Sequence, residues 1–297
     1  MARANAAYYA AQNFGADFIT APELTQVFGE LLGAWAKVVW QLMGAPENIL
    51  LVEAGGGRGV MMADALRVWH APSVHFIEIS PRLRAEQAAR VPQAHWHDGI
   101  ETLPDGPVIL LANEFLDALP VRQFIRREAG WMERYVQNGA YLELPADAKM
   151  PDDPVGSVRE VNEAALEFCR ALAARGGVGL FIDYGPLQSA PGESVQAIRA
   201  QKYADPLAAP GEADITAHVD FAAIARTVHV QGPVKQNAFL TALGLYQRSD
   251  ALAQKHPHKA DDLRLAVQRL TAPEAMGSLF KALAVCPENF PILPGFA

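Results

Sequence analysis

The stretch LLVEAGGGRGVMMADALR, residues 50–67, constrains the fold more than any other segment. An apolar run is followed by three consecutive glycines, then a fourth, then apolar side chains at helical spacing. Glycine loses more backbone freedom on folding than any other residue, so a cluster of them marks a sharp bend or a close approach to a ligand. In the order strand, turn, helix, such a bend exposes main-chain N–H groups and the positive end of the next helix at the carboxyl edge of a sheet. Open α/β sheets bind their ligands there.

The rest of the chain continues the alternation. PELTQVFGELLGAWAKVVWQLM, residues 22–43, reads as a helix, with Pro22 and Glu23 suited to its first turn. NILLVEA is nearly all apolar, the pattern of a strand covered on both faces. A helix is expected over 60–69, then strand SVHFIEIS and helix SPRLRAEQAAR. HWHD ends a third strand, PVILLANEF is a fourth and GGVGLFIDYG a fifth. The fifth follows a helix predicted over SVREVNEAALEFCRALAARGG that stops at Gly176. Strands alternating with helices predict one α/β domain over 1–297, with a doubly wound, mainly parallel sheet. Residues 1–45 form an N-terminal, mainly helical segment. Residues 121–146, with the turn signal Asn138-Gly139, read as an antiparallel β meander inserted at a sheet edge. The Gly-, Pro- and Ala-rich segment 186–214 reads as a long functional loop. Further helices are expected from about His218, from Gln236 and over PEAMGSLFKALAV.

The composition of the turn discriminates between ligands. A phosphate-binding P-loop needs Gly-Lys-Ser/Thr after its glycines, and none follows. The dinucleotide pattern G-x-G-x-x-G is met by Gly55 and Gly57 but broken by Val60. The sequence instead reads E-x-G-x-G-x-G: Glu53, Gly55, Gly57, Gly59. A carboxylate at the strand tip repels pyrophosphate and suits a cationic or polyhydroxyl ligand. S-adenosylmethionine, with an amino acid tail, a sulfonium and no phosphate, meets both conditions. Glu78, ending the second strand, stands where a carboxylate accepts ribose hydroxyls, and Asp98, after the third, is placed to receive an adenine amino group.

With 25 basic against 33 acidic side chains the net charge is −8, and no basic block occurs. This argues against nucleic acid or an anionic membrane as partner. No apolar run approaches the ~20 residues of a membrane span, so no membrane insertion is expected. One arginine in the alanine-rich start is thin support for an organelle import signal. Cys169 and Cys286 lie far apart, without metal-ligand neighbours, and read as apolar fillers in a reducing compartment. The pairs His95/His97 and His256/His258 each lack a third ligand nearby, so no metal site is expected.

Seven blocks in order carry a family resemblance: GADFITAPELTQVFGELLGAW, VEAGGGRGVMMADALR, FIEISPRLR, NEFLDALPVRQF, LFIDYG, PGEADITAHVDF and MGSLFKALAV. On these the chain resembles the MidA-type class I methyltransferases, which have a Rossmann-like fold and use S-adenosylmethionine. Mitochondrial members methylate an arginine of a respiratory complex I subunit and support assembly of that complex. The resemblance implies a protein substrate, and a cytoplasmic location for a bacterial chain or the mitochondrial matrix for a eukaryotic one. There are departures. Relatives carry a longer segment before the tyrosine pair, Gly where Ala16 stands, Pro where Gly56 stands and His where Gln201 stands.

Methyl transfer to a guanidinium asks for carboxylates, because an arginine spreads its charge over a planar fork and keeps its proton until transfer. NEFLDALP follows the fourth strand at the carboxyl edge of the sheet. Glu114 and Asp117 are therefore expected to face the acceptor, with Asn113 positioning it. Asp17, Glu23, Asp183, Tyr184 and His218 are further substrate-side candidates. Glu23 has an equally good role at its helix start, and Thr216 and His218 one in capping. Two other classes remain open for the function: a non-catalytic complex I assembly partner that keeps the cofactor pocket, and a small-molecule methyltransferase. A nicotinamide-dependent oxidoreductase is disfavoured by Glu53 and Val60.

Overall fold

The structure is a computed structural model that describes residues 1–11 and 20–297. Seven strands make its central sheet: β1 Leu50–Ala54, β2 Ser73–Ile77, β3 His95–His97, β4 Val108–Asn113, β5 Val178–Tyr184, β6 Val230–Lys235 and β7 Phe280–Val285. Their spatial order is 3-2-1-4-5-7-6. The first five are parallel, and β7 runs antiparallel to both β5 and β6. Chain direction across the sheet reverses between β1 and β4, which opens a crevice at their carboxyl ends.

The apolar runs are explained by burial on both faces. Along β1, Leu51 packs into one core with Phe28, Trp35, Met61, Phe76 and Ile109, while Leu50 and Val52 face a second core with Leu110, Cys169, Leu172 and Phe221. All five residues of β1 and all six of β4 are buried. Both cysteines are free and buried.

Helices α1 Ala2–Ala11, α2 Ala21–Leu24 and α3 Gln26–Leu42 lead into the sheet. The single helix expected over 22–43 is broken at Thr25, which has extended dihedrals (φ −162°, ψ 139°) and whose side chain accepts the Val27 N–H. A hydroxyl cap competes with continued helix, and it re-aims α3 at α4 Val60–Ala65. Gly29 and Gly33 make that approach: a Cβ on Gly29 would meet Asp64 Cβ at 2.7 Å, and one on Gly33 would meet Ala65 Cα at 2.6 Å.

Other expectations are corrected. The meander is not an edge of the main sheet. Arg122–Arg127, Gly130–Gln137 and Ala140–Pro145 join Val158–Val161 in a separate four-stranded antiparallel sheet. Val158–Val161 was expected to open the helix before β5, which instead starts at Glu163, capped by Asn162 accepting from Ala165 N–H. The turn at Asn138 and Gly139 has both φ values positive, 51° and 75°, as a tight hairpin requires. Within the expected loop 186–214, Gln196–Arg199 pairs with Lys202–Ala204 and with Asp214–Thr216 as a third sheet. The expected helix at His218 starts at Phe221, with Asp220 as cap, and FKALAV is strand β7 rather than helix. A short apolar run is equally compatible with a buried helix or strand, and β7 is decided by neighbours on both sides.

Candidate active site

Two adjoining cavities occupy the crevice. The larger, about 330 Å³, is walled by Ile77, Ile79, Leu83, Ile100, Phe115 and the inner side of α1, with Glu78 on one flank. The smaller, about 40 Å³, is lined by Glu23, Glu53, Arg58, Asn113, Glu114, Asp117 and Asp214. Tyr9, Gly55, Gly57 and Glu114 line both, so they form the passage between them.

The glycine turn shapes this passage. Gly55, Gly57 and Gly59 have φ of 65°, 49° and 78°, a region that L side chains rarely adopt. A Cβ on Gly55 would sit 2.8 Å from Phe115 Cδ2. Gly59 does not line either cavity; it backs onto α5, Pro81–Arg90, where a Cβ would meet Gln87 Cα at 3.2 Å. Gln87, wholly buried, ties the turn to the second strand: its amide donates to Gly57 O at 2.8 Å and to Glu78 Oε2 at 3.4 Å, and its oxygen accepts from Trp96 Nε1.

Glu78 is buried, and its Oε1 accepts the Ser80 N–H at 2.8 Å. Burial pushes its carboxyl upward. Asp98 is at the rim, with a side chain 79 % exposed and paired to Arg84 at 2.5 Å. The larger cavity therefore offers the inward carboxylates of Glu78 and, at the passage, Glu114, an apolar slot and, among the described lining residues, no lysine or arginine to meet a phosphate. These features fit an adenosine with a sulfonium tail.

The smaller cavity is acidic. Glu53 is buried, its Oε2 has no hydrogen-bond partner, and desolvation holds its carboxyl well above the usual range. Glu114 follows β4 with a left-handed φ of 52°; Asn113 donates to its Oε1 at 3.0 Å, and its own N–H donates to Ile182 O at 2.9 Å. Burial and the neighbouring Asp183 raise its pKa to about 7. Asp117 is buried with Oδ1 unpartnered, and burial together with Asp183 raises it strongly. Asp214 accepts from the Tyr9 hydroxyl at 2.6 Å, joining α1 to this wall across 205 residues of sequence.

Not every candidate faces the cavities. Asp183 and Tyr184 are the last two residues of β5. Asp183 points into main chain, where Oδ2 accepts the N–H groups of Phe115, Leu116 and Asp117 and Oδ1 accepts that of Tyr184. Tyr184 stands behind Asp117 and packs edge-on against His218 and Phe280. His218 is exposed and lines a different recess with Glu160 and Pro186. Glu23 does line the acidic cavity, but Arg58 engages it with two hydrogen bonds, of 3.0 and 2.5 Å. Asp17 lies outside the described residues. Of the histidines, His97 contacts His75 at 2.9 Å, and among the described residues no group of three His, Cys, Asp or Glu side chains could hold a metal ion.

Sequence reasoning missed Tyr9, Arg58, Gln87, Phe115 and Asp214. Arg58 and Phe115 stood inside quoted motifs, one residue from a named candidate. Asp214 also stood inside a quoted block, but its role, like those of Tyr9 and Gln87, had no local signal, because their partners are remote in the chain.

Sheet order, the turn after β1 and a phosphate-free nucleoside cavity together define an α/β methyltransferase of the class I, Rossmann-like type. Comparisons with known proteins agree. A family model described as "Putative S-adenosyl-L-methionine-dependent methyltransferase" matches residues 31–238. The Drosophila melanogaster protein named protein arginine methyltransferase NDUFAF7 homolog, mitochondrial, is 34% identical over 91% of this chain and 75% of its own length. The human protein arginine methyltransferase NDUFAF7, mitochondrial, is 31% identical over 92% of this chain and 74% of its own. A Burkholderia thailandensis protein crystallised with S-adenosyl-homocysteine superposes with a TM-score of 0.82 at 26% identity, over 95% of this chain and 82% of that one. The chain belongs to this family of S-adenosylmethionine-dependent methyltransferases.

Proposed function

We propose that this methyltransferase acts on the guanidinium of an arginine in a protein, and that the acceptor protein is a subunit of respiratory complex I. The chain works as one domain over 1–297, with residues 1–45 on the substrate side and 121–146 as an inserted meander. The observation that carries the reading is the acidic cavity. Glu114, Asp117 and Asp214 line its acceptor side, and a buried oxygen of Asp117 lacks any hydrogen-bond partner. Buried carboxylates without counter-charge are costly, and a bound guanidinium relieves that cost with donors in a planar fork. The names of the curated relatives, and the resemblance to MidA-type enzymes, point the same way.

S-adenosylmethionine supplies a methyl group activated by a sulfonium. The chain's own residues do the remainder. Glu78 takes the ribose hydroxyls, Gly55 and Gly57 let the main chain lie close to the tail, and Asp98 sits at the adenine rim. Glu114 and Asp117 grip and orient the acceptor, and Asn113 fixes the Glu114 rotamer. Alignment is the chief catalytic contribution, since the thioether leaving group is neutral. Glu114, poised near neutrality, takes the proton that the nitrogen releases. No helix among the described residues is long and apolar enough to cross a membrane; we place the protein in the bacterial cytoplasm, or in the mitochondrial matrix if the source is eukaryotic.

The test is incubation with methyl-labelled cofactor and a complex I-bearing lysate, followed by mass spectrometry of the labelled residue. Label on arginine supports the proposal; label confined to small molecules overturns it. The assembly-partner reading is separated by Asp117→Asn: complex I assembly that survives loss of methylation in cells would favour it.

A further inference from the structure

The tail of S-adenosylmethionine is a zwitterion, and its carboxylate must enter a region dominated by negative charge. Glu23, Glu53, Glu114, Asp117 and Asp214 line the smaller cavity. Among the described residues lining either cavity, Arg58 is the one basic side chain. It sits in the glycine turn itself, between Gly57 and Gly59. From this juxtaposition we infer that Arg58 binds the carboxylate of the cofactor's amino acid tail and that Glu23 positions it for that task. The inference rests on the cofactor site described above.

Three features support the assignment. Arg58 Nε donates to Glu23 Oε1 at 3.0 Å and Nη2 to Glu23 Oε2 at 2.5 Å, which fixes the guanidinium plane and leaves Nη1 outside the pair. Its side chain is 36 % exposed, so it is reachable rather than sealed. Glu53, across the same cavity, has a buried oxygen without a partner, a complementary place for the tail's ammonium. The two ends of the zwitterion thus meet opposite charges. A carboxylate placed there without Arg58 would meet no cationic side chain among the described residues lining either cavity. Planar, always-charged arginine is the residue suited to a carboxylate already flanked by another.

The arrangement also couples the two halves of the site. Glu23 belongs to α2 of the N-terminal segment and Arg58 to the turn after β1. A cofactor carboxylate bound to Nη1 would join that pair, so tail recognition bears directly on the segment that walls the acceptor side.

The experiment compares S-adenosylmethionine with decarboxylated S-adenosylmethionine, which keeps the nucleoside, sulfonium and ammonium. Calorimetric titration of the wild-type chain should show a preference of at least about tenfold for the carboxylated ligand, the usual worth of a charge-assisted hydrogen bond. In Arg58→Gln that preference should shrink to within about threefold, with affinity for the decarboxylated ligand unchanged or tighter. Equal affinity of the wild type for the two ligands overturns the inference without reference to any variant, as does an undiminished preference in Arg58→Gln. Binding of the decarboxylated ligand by the variant certifies its fold. Failure of the wild type to bind either ligand would instead remove the cofactor site on which the inference rests.

Discussion

Asp183 holds Asp117 in place through the main chain: its Oδ2 accepts the Asp117 N–H at 3.3 Å, together with those of Phe115 and Leu116. The turn it secures carries Glu114 in a left-handed conformation, which costs about 1 kcal/mol for a residue with a Cβ. One buried carboxylate thus supports the two acids proposed to face the acceptor. Asp183→Ala would leave those buried N–H groups unpaired, and urea denaturation should show a loss on the order of 3–5 kcal/mol. Asp183→Asn keeps one acceptor oxygen and should lose less. Stability unchanged in the alanine variant would refute the anchoring role.

Asp117 and Glu114 should separate binding from turnover. Asp117 does not line the apolar nucleoside slot, so Asp117→Asn should bind S-adenosyl-homocysteine within about threefold of wild type while methyl transfer falls on the order of 10²-fold or more. Calorimetry beside a methyl-transfer assay decides this. Parallel loss of both would assign Asp117 to the cofactor.

The pH profile follows from Glu114, whose pKa is raised to about 7. Below that pH the free enzyme carries it protonated, unable to pair with a guanidinium or take a proton. The acceptor arginine stays charged throughout. Log(kcat/KM) for the acceptor should therefore rise with pH and level off above about 7. In Glu114→Gln the inflection should vanish along with most of the rate. An inflection that persists there would belong to Asp183, whose pKa is also raised to about 7.

Stability should depend on pH in the opposite sense to that of a salt-bridged acid. Glu114 and Asp183 have folded pKa values above their ordinary 4.5 and 3.8, so between those values and about 7 the native state binds more protons than the unfolded chain. Stability therefore rises as pH falls from about 8 toward 6.5. Below 6.5 His75, lowered to about 4 by burial and its histidine neighbours, acts the other way, since the unfolded chain gains that proton first. Thermal denaturation across this range should show a higher Tm at pH 6.5 than at pH 8. A Tm that climbs steadily to pH 8 would contradict the burial of these acids.

The contact of α3 with α4 should tolerate no side chain at Gly33, because a Cβ there would lie 2.6 Å from Ala65 Cα, which is backbone and cannot rotate away. Gly33→Val should destabilise by about 3 kcal/mol or more, read by chemical denaturation. A neutral outcome would mean that the two helices can part.

The sequence by itself determined the parts of this protein that are local. A strand buried on both faces is apolar at most of its positions, so β1, β2, β4 and β5 were legible in their runs. The turn after β1 declared itself because glycine accepts without strain the φ values of 65°, 49° and 78° found there. The placement of Asn113, Glu114 and Asp117 at the crevice was legible because chain order alone puts a post-β4 segment beside that turn. Tertiary structure decided what depends on partners. Whether FKALAV was helix or strand rested on β5 and β6 flanking it, and whether residues 158–161 opened a helix rested on the pairing with Arg122–Arg127. Glu23, Asp183 and His218 were alike as substrate-side candidates in the sequence. Folding gave the first to Arg58, turned the second into main chain and left the third outside. Tyr9 and Asp214 became a pair only in space. Local conformational preference is written residue by residue, whereas the charge a carboxylate feels is set by whatever the fold brings within a few ångströms of it.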